Sequence, residues 1–228
     1  MIIQAAATLA DLIVRIRTDR PLRVAIDGRT ASGKTTFADA LGREIEARSR
    51  PVIRSSVDGF HRPRAERYAR GRRSPEGYYH DARDLGAVRR LLLDPLGPGG
   101  DRVYRTASFD LDADRPIDGP MYVVESDGIL VVDGTFLQRP ELASAWDVTV
   151  FLDTSDETSL NRGVARDAAT LGGREAATAL FAERYAPAFE IYSQACAPRE
   201  IADAVIDNED FDRQSLSIRA DGRLGGQA

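Results

Sequence analysis

Hydrophobic and polar positions along this chain follow two periods, and the changes between them predict its elements. Residues 4–18 place apolar side chains at helical spacing, and Pro21 separates this amphipathic helix from the first strand. Val24-Ala25-Ile26 is a short unbroken apolar run, as a strand buried on both faces requires. From Thr36 to Arg48 the period lengthens, with Phe37, Leu41 and Ile45 four apart on one helical face. Pro51 ends that unit, and 51–57 reads as a second strand finishing at Asp58. Strand, helix and strand at these lengths predict a right-handed crossover in a parallel sheet.

Periodicity then weakens. Residues 58–84 are rich in Arg, Gly, Pro and Tyr and predict an irregular loop with short helical pieces. A helix over 84–93 comes next, broken by Pro95, Gly97, Pro98, Gly99 and Gly100. Residues 103–105 and 121–125 can pair as a hairpin across a polar segment. Residues 129–134 form a strongly apolar strand that ends in Asp133, and 146–153 form another. Ser155 is a fitting N-cap for a helix to Leu171, with Asp156 and Glu157 in its first turn. Gly172-Gly173 break it, 175–195 are helical again with an interruption near Pro187, and 204–207 make a last short strand. Residues 213–228 read as a polar, flexible tail.

One stretch carries chemistry at once. After the first strand the chain reads Gly28-Arg29-Thr30-Ala31-Ser32-Gly33-Lys34-Thr35, then Thr36. This is G-x-x-x-x-G-K-T between a strand and a helix, the context a phosphate-binding loop needs. Glycines allow positive φ and close approach of the backbone. Successive N–H groups form an anion nest at the positive end of the next helix. Lys34 would reach the outer phosphates, and the Thr35 hydroxyl would ligate Mg²⁺. Lys34 is also the only lysine of the chain; every other basic side chain is arginine. A compact ammonium fits inside such a loop where a planar guanidinium would crowd it. The expected fold is α/β: a three-layer P-loop NTPase fold with a mostly parallel sheet, helices on both faces and a small lid. One domain would span 1–212, with its core from residue 22 and its lid at about 160–175.

Composition narrows the partners. The chain has 228 residues, and a net charge of −5 argues against a general nucleic-acid binder. The single cysteine, Cys196, excludes an intramolecular disulfide and suits a reducing, cytoplasmic setting. The N-terminus has no basic n-region and carries Asp11 within its apolar stretch, so it reads as neither signal peptide nor membrane span. His61 and His80 are too few and too separated for a recognisable metal site and belong to the irregular loop. The N-terminal helix and the 101–125 hairpin offer contact surfaces for a homodimer.

Three further features bear on the γ-phosphate. Asp133, at a strand end, can complete a Mg²⁺ shell. Asp58 ends the strand next in sequence after the loop, so it emerges at the ligand-binding edge of the sheet and can accept a proton from an attacking hydroxyl. Arg162 and Arg166 share one helical face, and Arg174 comes after two glycines that could hinge a lid; such arginines neutralise a migrating phosphoryl group. Each feature also has a plain structural reading, as a solvated strand end, a turn or a charged helix face.

The segments DGRTASGKTT, SVDGFHRP, SPEGYYHDARD, ILVVDGTFL, RDAATLGG and ADAVIDN together resemble the uridine kinase-like branch of the P-loop kinases. That branch also includes phosphoribulokinases, bacterial pantothenate kinases and nicotinamide riboside kinases. The resemblance runs from about Leu22 to Asn208 and implies ATP- and Mg²⁺-dependent phosphorylation of a small-molecule hydroxyl. It implies ATP on Gly28, Ala31, Ser32, Gly33, Lys34, Thr35 and Thr36, with Arg174 closing over it. It implies Asp58 as base, Asp81 as the acid that holds ribose hydroxyls, and Phe60, His61, Tyr79 and Tyr104 around a nucleoside-like acceptor. Asp133 stands where the branch usually has Glu, and Phe109 stands where a His is expected to read a pyrimidine. The arginines from Arg62 to Arg73 are either a solvated loop or a receiver for an anionic acceptor, such as a sugar phosphate or pantothenate. A guanine-recognising N-K-x-D motif is impossible with one lysine, whereas an ATP-binding regulator without an acceptor is a distinct alternative.

Overall fold

In the computed structural model, which describes residues 2–227, the chain opens with α1 (Ile2–Ile13), β1 (Leu22–Gly28), α2 (Lys34–Glu46) and β2 (Val52–Ser56). Met1 and Ala228, the outer ends of the expected domain and tail, lie outside the described residues. Short elements come next: α3 (Arg64–Arg67), a π-helical turn at Gly77–Asp81, α4 (Leu85–Val88) and a second π turn at Arg89–Leu93. Then come β3 (Val103–Tyr104), β4 (Phe109–Asp110), β5 (Arg115–Pro116), β6 (Tyr122–Val123), β7 (Ile129–Asp133), α5 (Pro140–Ala143) and β8 (Val148–Asp153). The last part holds α6 (Asp156–Leu171), α7 (Arg174–Leu180), a third π turn at Phe181–Tyr185, α8 (Ala186–Cys196), α9 (Pro198–Ile201), β9 (Ala204–Asp207) and β10 (Ser215–Ile218).

The central sheet has the order β10-β9-β8-β1-β7-β2. Its pairings are parallel except β10 against β9. Alternation along the strands builds two cores. Leu22, Val24 and Ile26 of β1 face α1 and α2, together with Ile129 and Val131 of β7. Ala25, Leu130 and Val132 face the opposite layer with Phe60, Leu92 and Trp146. This period of two is why both strands read as unbroken apolar runs. A third, aromatic cluster joins Tyr79, Phe136, Phe189 and Tyr192 beneath β8. Among the described residues no helix is long and apolar enough to cross a membrane.

Three expectations change. The first helix stops at Ile13 rather than residue 18. Arg50 Nη1 donates to the Val14 carbonyl at 3.2 Å, so a side chain satisfies an oxygen that a longer helix would have used. The apolar face of α1 is buried on α2 and the sheet, which withdraws it as a surface for a second copy. The 213–228 segment is not a flexible tail through its described length. Its β10 pairs antiparallel with β9, and Leu224 is fully buried in the core under α1 and α2.

The 103–105 and 121–125 segments pair as β3 and β6, with Tyr104 opposite Tyr122. A smaller hairpin, β4 with β5, is inserted between them. The interruption expected near Pro187 is the π turn just before it, a local change of helical winding that precedes Pro187 in the continuous helix.

Candidate active site

The carboxyl ends of β1, β2 and β7 open onto one cavity of about 820 Å³. Its floor is the loop between β1 and α2. Gly28 has φ 150° and Gly33 has φ 90°. A Cβ on Gly33 would lie 2.7 Å from Asn208 Nδ2 and 2.9 Å from the Phe211 ring, so the position requires glycine. Asn208 Nδ2 donates to the Ser32 carbonyl at 2.6 Å and ties the loop to the segment after β9. No side chain caps the start of α2, which leaves its first N–H groups facing the cavity for an anion. Ala31, Gly33, Lys34, Thr35 and Thr36 line the cavity; Gly28 and Ser32 are buried behind them.

Lys34 Nζ donates to the Arg29 carbonyl at 2.5 Å, folded within the loop. Burial pushes its pKa down, against the pull of Tyr78, Asp27, Asp133 and Asp58. Thr35 Oγ1 donates to Asp133 Oδ2 at 2.7 Å, and Arg54 Nη2 donates to Asp133 Oδ1 at 2.9 Å. The hydroxyl and carboxylate therefore converge across the β1–β7 edge. A single carboxylate and one hydroxyl fit Mg²⁺, which keeps water and phosphate oxygens as its other ligands.

Asp58 sits in the 3₁₀ turn after β2, where the Ser56 hydroxyl accepts from its N–H. Its side chain is 61% exposed, and it lines the cavity. Burial of the surroundings pushes its pKa up, but the guanidinium of Arg83, with His61, outweighs this and holds the carboxyl below its ordinary value. Arg83 Nη2 and Nε donate to Asp58 Oδ1 at 2.8 and 3.2 Å. His61 Nδ1 lies 2.8 Å from the Asp58 carbonyl, and burial lowers its pKa.

The three arginines expected on a lid divide. Arg162 lines the cavity, donates to the carbonyls of Asn208 and Glu209 at 2.8 and 3.0 Å, and lies 3.8 Å from the Phe211 ring centre. Arg166 also lines the cavity and pairs with Asp167 at 2.7 Å. Arg174 does not: it is exposed at the start of α7, beyond the turn at Gly172-Gly173.

Several expected acceptor residues lie elsewhere. Phe60 is fully buried in the second core, where the 3₁₀ turn aims it inward. Tyr79 is packed under Arg139 and against Phe136. Asp81 pairs with Arg70 at 2.8 Å, outside the cavity. Tyr104 packs into the second core beside Tyr122, and Phe109 is buried in the inserted hairpin. In their place the cavity is lined by Tyr78, Arg83, Arg67, Tyr68 and Arg184. The π turn at 77–81 decides between Tyr78 and Tyr79, and a sequence pattern with no helical period does not register it. Arg184, far along the chain, carried no local signal at all.

The model of the phosphoribulokinase / uridine kinase family matches residues 24–210. Uridine-cytidine kinase B of Dictyostelium discoideum is 28% identical over 173 residues, covering 75% of this chain and 69% of that protein. A uridine kinase of Lactiplantibacillus plantarum is 25% identical over 164 residues, covering 65% and 68%. A solved structure described as a possible uridine kinase from Bacillus stearothermophilus superposes with a TM-score of 0.70 at 25% identity, over 89% of this chain and 97% of that one. The match spans both the phosphate loop and the segment that clamps it, and the chain belongs to the phosphoribulokinase / uridine kinase family.

Proposed function

We propose that the chain transfers the γ-phosphoryl group of ATP to a hydroxyl of a small molecule held in the cavity beside Asp58. The observation that carries this reading is that Lys34, the Thr35–Asp133 pair and Asp58 line one cavity. ATP would lie along the loop, with its phosphates on the N–H groups of Gly33, Lys34, Thr35 and Thr36. Lys34 would exchange its bond to the Arg29 carbonyl for the outer phosphates. Thr35 and Asp133 would hold Mg²⁺, which would offset the charge of the phosphates. Asp58, ionised at neutral pH, would accept the acceptor hydroxyl's proton as its oxygen attacks the γ-phosphorus. Arg162 and Arg166 would cover the transferring group from α6 and exclude water. Cytoplasmic residence and self-association through the exposed Met121, Tyr122 and Val123 are part of the same reading.

The relatives' names support a nucleoside-like acceptor. The geometry gives no support to one read by Tyr79, Asp81, Tyr104 and Phe109, since these lie outside the cavity. The test is ADP release from Mg-ATP with and without hydroxylated acceptors. The expected result is release that depends on one class of acceptor. Slow release indifferent to every acceptor would instead fit a nucleotide-binding regulator.

A further inference from the structure

Beside Asp58 the cavity wall is a stack of guanidinium and phenol groups. The Arg67 guanidinium carbon lies 5.3 Å from the Tyr68 ring centre. Arg184 lies 5.1 Å from Tyr68 and 4.8 Å from Tyr78, and Arg83 lies 5.1 Å from Tyr78. All three arginines are more than nine-tenths buried, at 4%, 8% and 5% exposure for Arg67, Arg83 and Arg184. Burying a charge is costly unless it is paired. Two of the three are. Arg83 holds Asp58, and Arg67 Nη2 donates to Asp114 at 3.1 Å from the inserted hairpin. Arg184 has no carboxylate partner among the described residues; its Nη1 donates to the Arg72 carbonyl at 2.9 Å. Buried N–H groups without a hydrogen bond remain on all three: Nε and Nη1 of Arg67, Nη1 of Arg83 and Nε of Arg184.

Elsewhere in the arginine-rich loop, Arg64 and Arg72 are exposed to solvent. Arg70 pairs with Asp81, Arg73 with Glu183 and Arg62 with Glu66. Of the three buried arginines on this wall, Arg184 alone lacks a carboxylate partner among the described residues, and it lines the same cavity as Asp58. The third π turn, 181–185, delivers both Arg184 and Tyr185 to that wall.

We infer that the acceptor carries an anionic group, a carboxylate or a phosphate, and that Arg184, backed by Arg67, recognises it while Asp58 meets the hydroxyl. The inference rests on the kinase reading above and names its substrate class. The unbonded Nε–H of Arg184 and the unbonded Nε–H and Nη1–H of Arg67 together match two oxygens of either anion. A neutral nucleoside would leave the Arg184 charge buried and unpaired, which selects against it.

The test uses the full chain with Mg-ATP and matched acceptors: glycerol, D-glycerate and glycerol 3-phosphate; ribose and ribose 5-phosphate; and uridine. The expected result is that a charged member exceeds its neutral partner in kcat/KM by about 100-fold. The glycerate and glycerol phosphate arms separate carboxylate from phosphate. Arg184→Gln should raise the KM of that charged acceptor about 10- to 100-fold and leave the KM for ATP unchanged. Arg184→Lys should restore part of the loss, and the exposed control Arg73→Gln should behave as wild type. Uridine or a free sugar matching the charged compounds overturns the inference, as does an unmoved KM in Arg184→Gln. Calorimetry separates the two readings. Titration of D-glycerate and inorganic phosphate into protein loaded with a non-hydrolysable ATP analogue should show binding that Arg184→Gln weakens. Such binding without ADP release defeats the kinase reading and keeps the anion site; absence of binding by both probes overturns the site.

Discussion

At the scale of single residues, the proposed transfer turns on Asp58 and the group beside it. Asp58→Asn keeps the side chain's shape and removes its capacity to take a proton. It should lower kcat by roughly 10²- to 10⁴-fold while leaving ATP affinity near wild type, read by steady-state kinetics and nucleotide titration. Unchanged turnover would remove Asp58 from the chemistry. Arg83 would set the working range of Asp58 as the proposed base. It stabilises the ionised carboxylate, so Asp58 stays charged to a pH below the ordinary carboxylate range. Removing Arg83 takes away the strongest influence opposing burial and leaves only His61 and Lys34 against it, which favours the protonated form. Arg83→Gln should therefore move the acidic limb of the kcat/KM profile toward higher pH; a limb that stays put would show that another group titrates there.

Residue identities in the site were unevenly legible. The phosphate loop declares itself because backbone geometry restricts which residues fit, and Gly33 is an instance: any Cβ would strike Asn208 or Phe211. Asp133 and Asp58 were legible because strand ends in a parallel sheet share one edge. Tyr79 and Asp81 misled for a local reason. Within an irregular segment, one residue of offset in a π turn exchanges the side chain that enters the cavity for its neighbour, here Tyr78.

At the scale of elements, the strands and long helices followed from their periods, and the errors fell where the signal was shortest. Ser215-Leu216-Ser217-Ile218 shows the strand alternation over only four residues, too short a run to stand out from a polar tail. In the fold it closes the sheet edge, and Leu224 beyond it is fully buried. Leu224→Ala should destabilise the protein by about 2–5 kcal/mol in denaturant unfolding. Truncation after residue 212 should lower Tm as well; an unaltered Tm would restore the tail reading. The α6–α7 unit behaves differently. Its own core is small, built on Val164, Ala177 and Phe181, and it turns at Gly172-Gly173 with φ 90° and 110°. A unit with so little buried apolar contact belongs to the low-stability end of a fold, which is what the lid reading of this segment requires.

At the scale of the whole molecule, one sheet edge gathers groups from distant parts of the chain. β1 and α2 bring the loop, β2 brings Asp58, β7 brings Asp133, and the aromatic layer under β8 positions the π turns that carry Tyr78 and Arg184. The doubly covered sheet was readable from sequence because crossover units have few topologies. The acceptor wall was not, because its members come from unrelated segments and meet only when helices pack. If Thr35 and Asp133 hold a metal, removing divalent cations with EDTA should abolish ADP release. Mg²⁺ should restore it, and persistence of full activity in EDTA would reject the assignment.

The most direct test of the central claim is transfer itself. The protein is incubated with Mg-ATP and the acceptor that best stimulates ADP release, and the products are identified by mass and by ³¹P resonance. The account predicts one phosphorylated acceptor per ADP, formed at a hydroxyl, and its loss in Asp58→Asn. ADP accompanied by inorganic phosphate and an unmodified acceptor would contradict it.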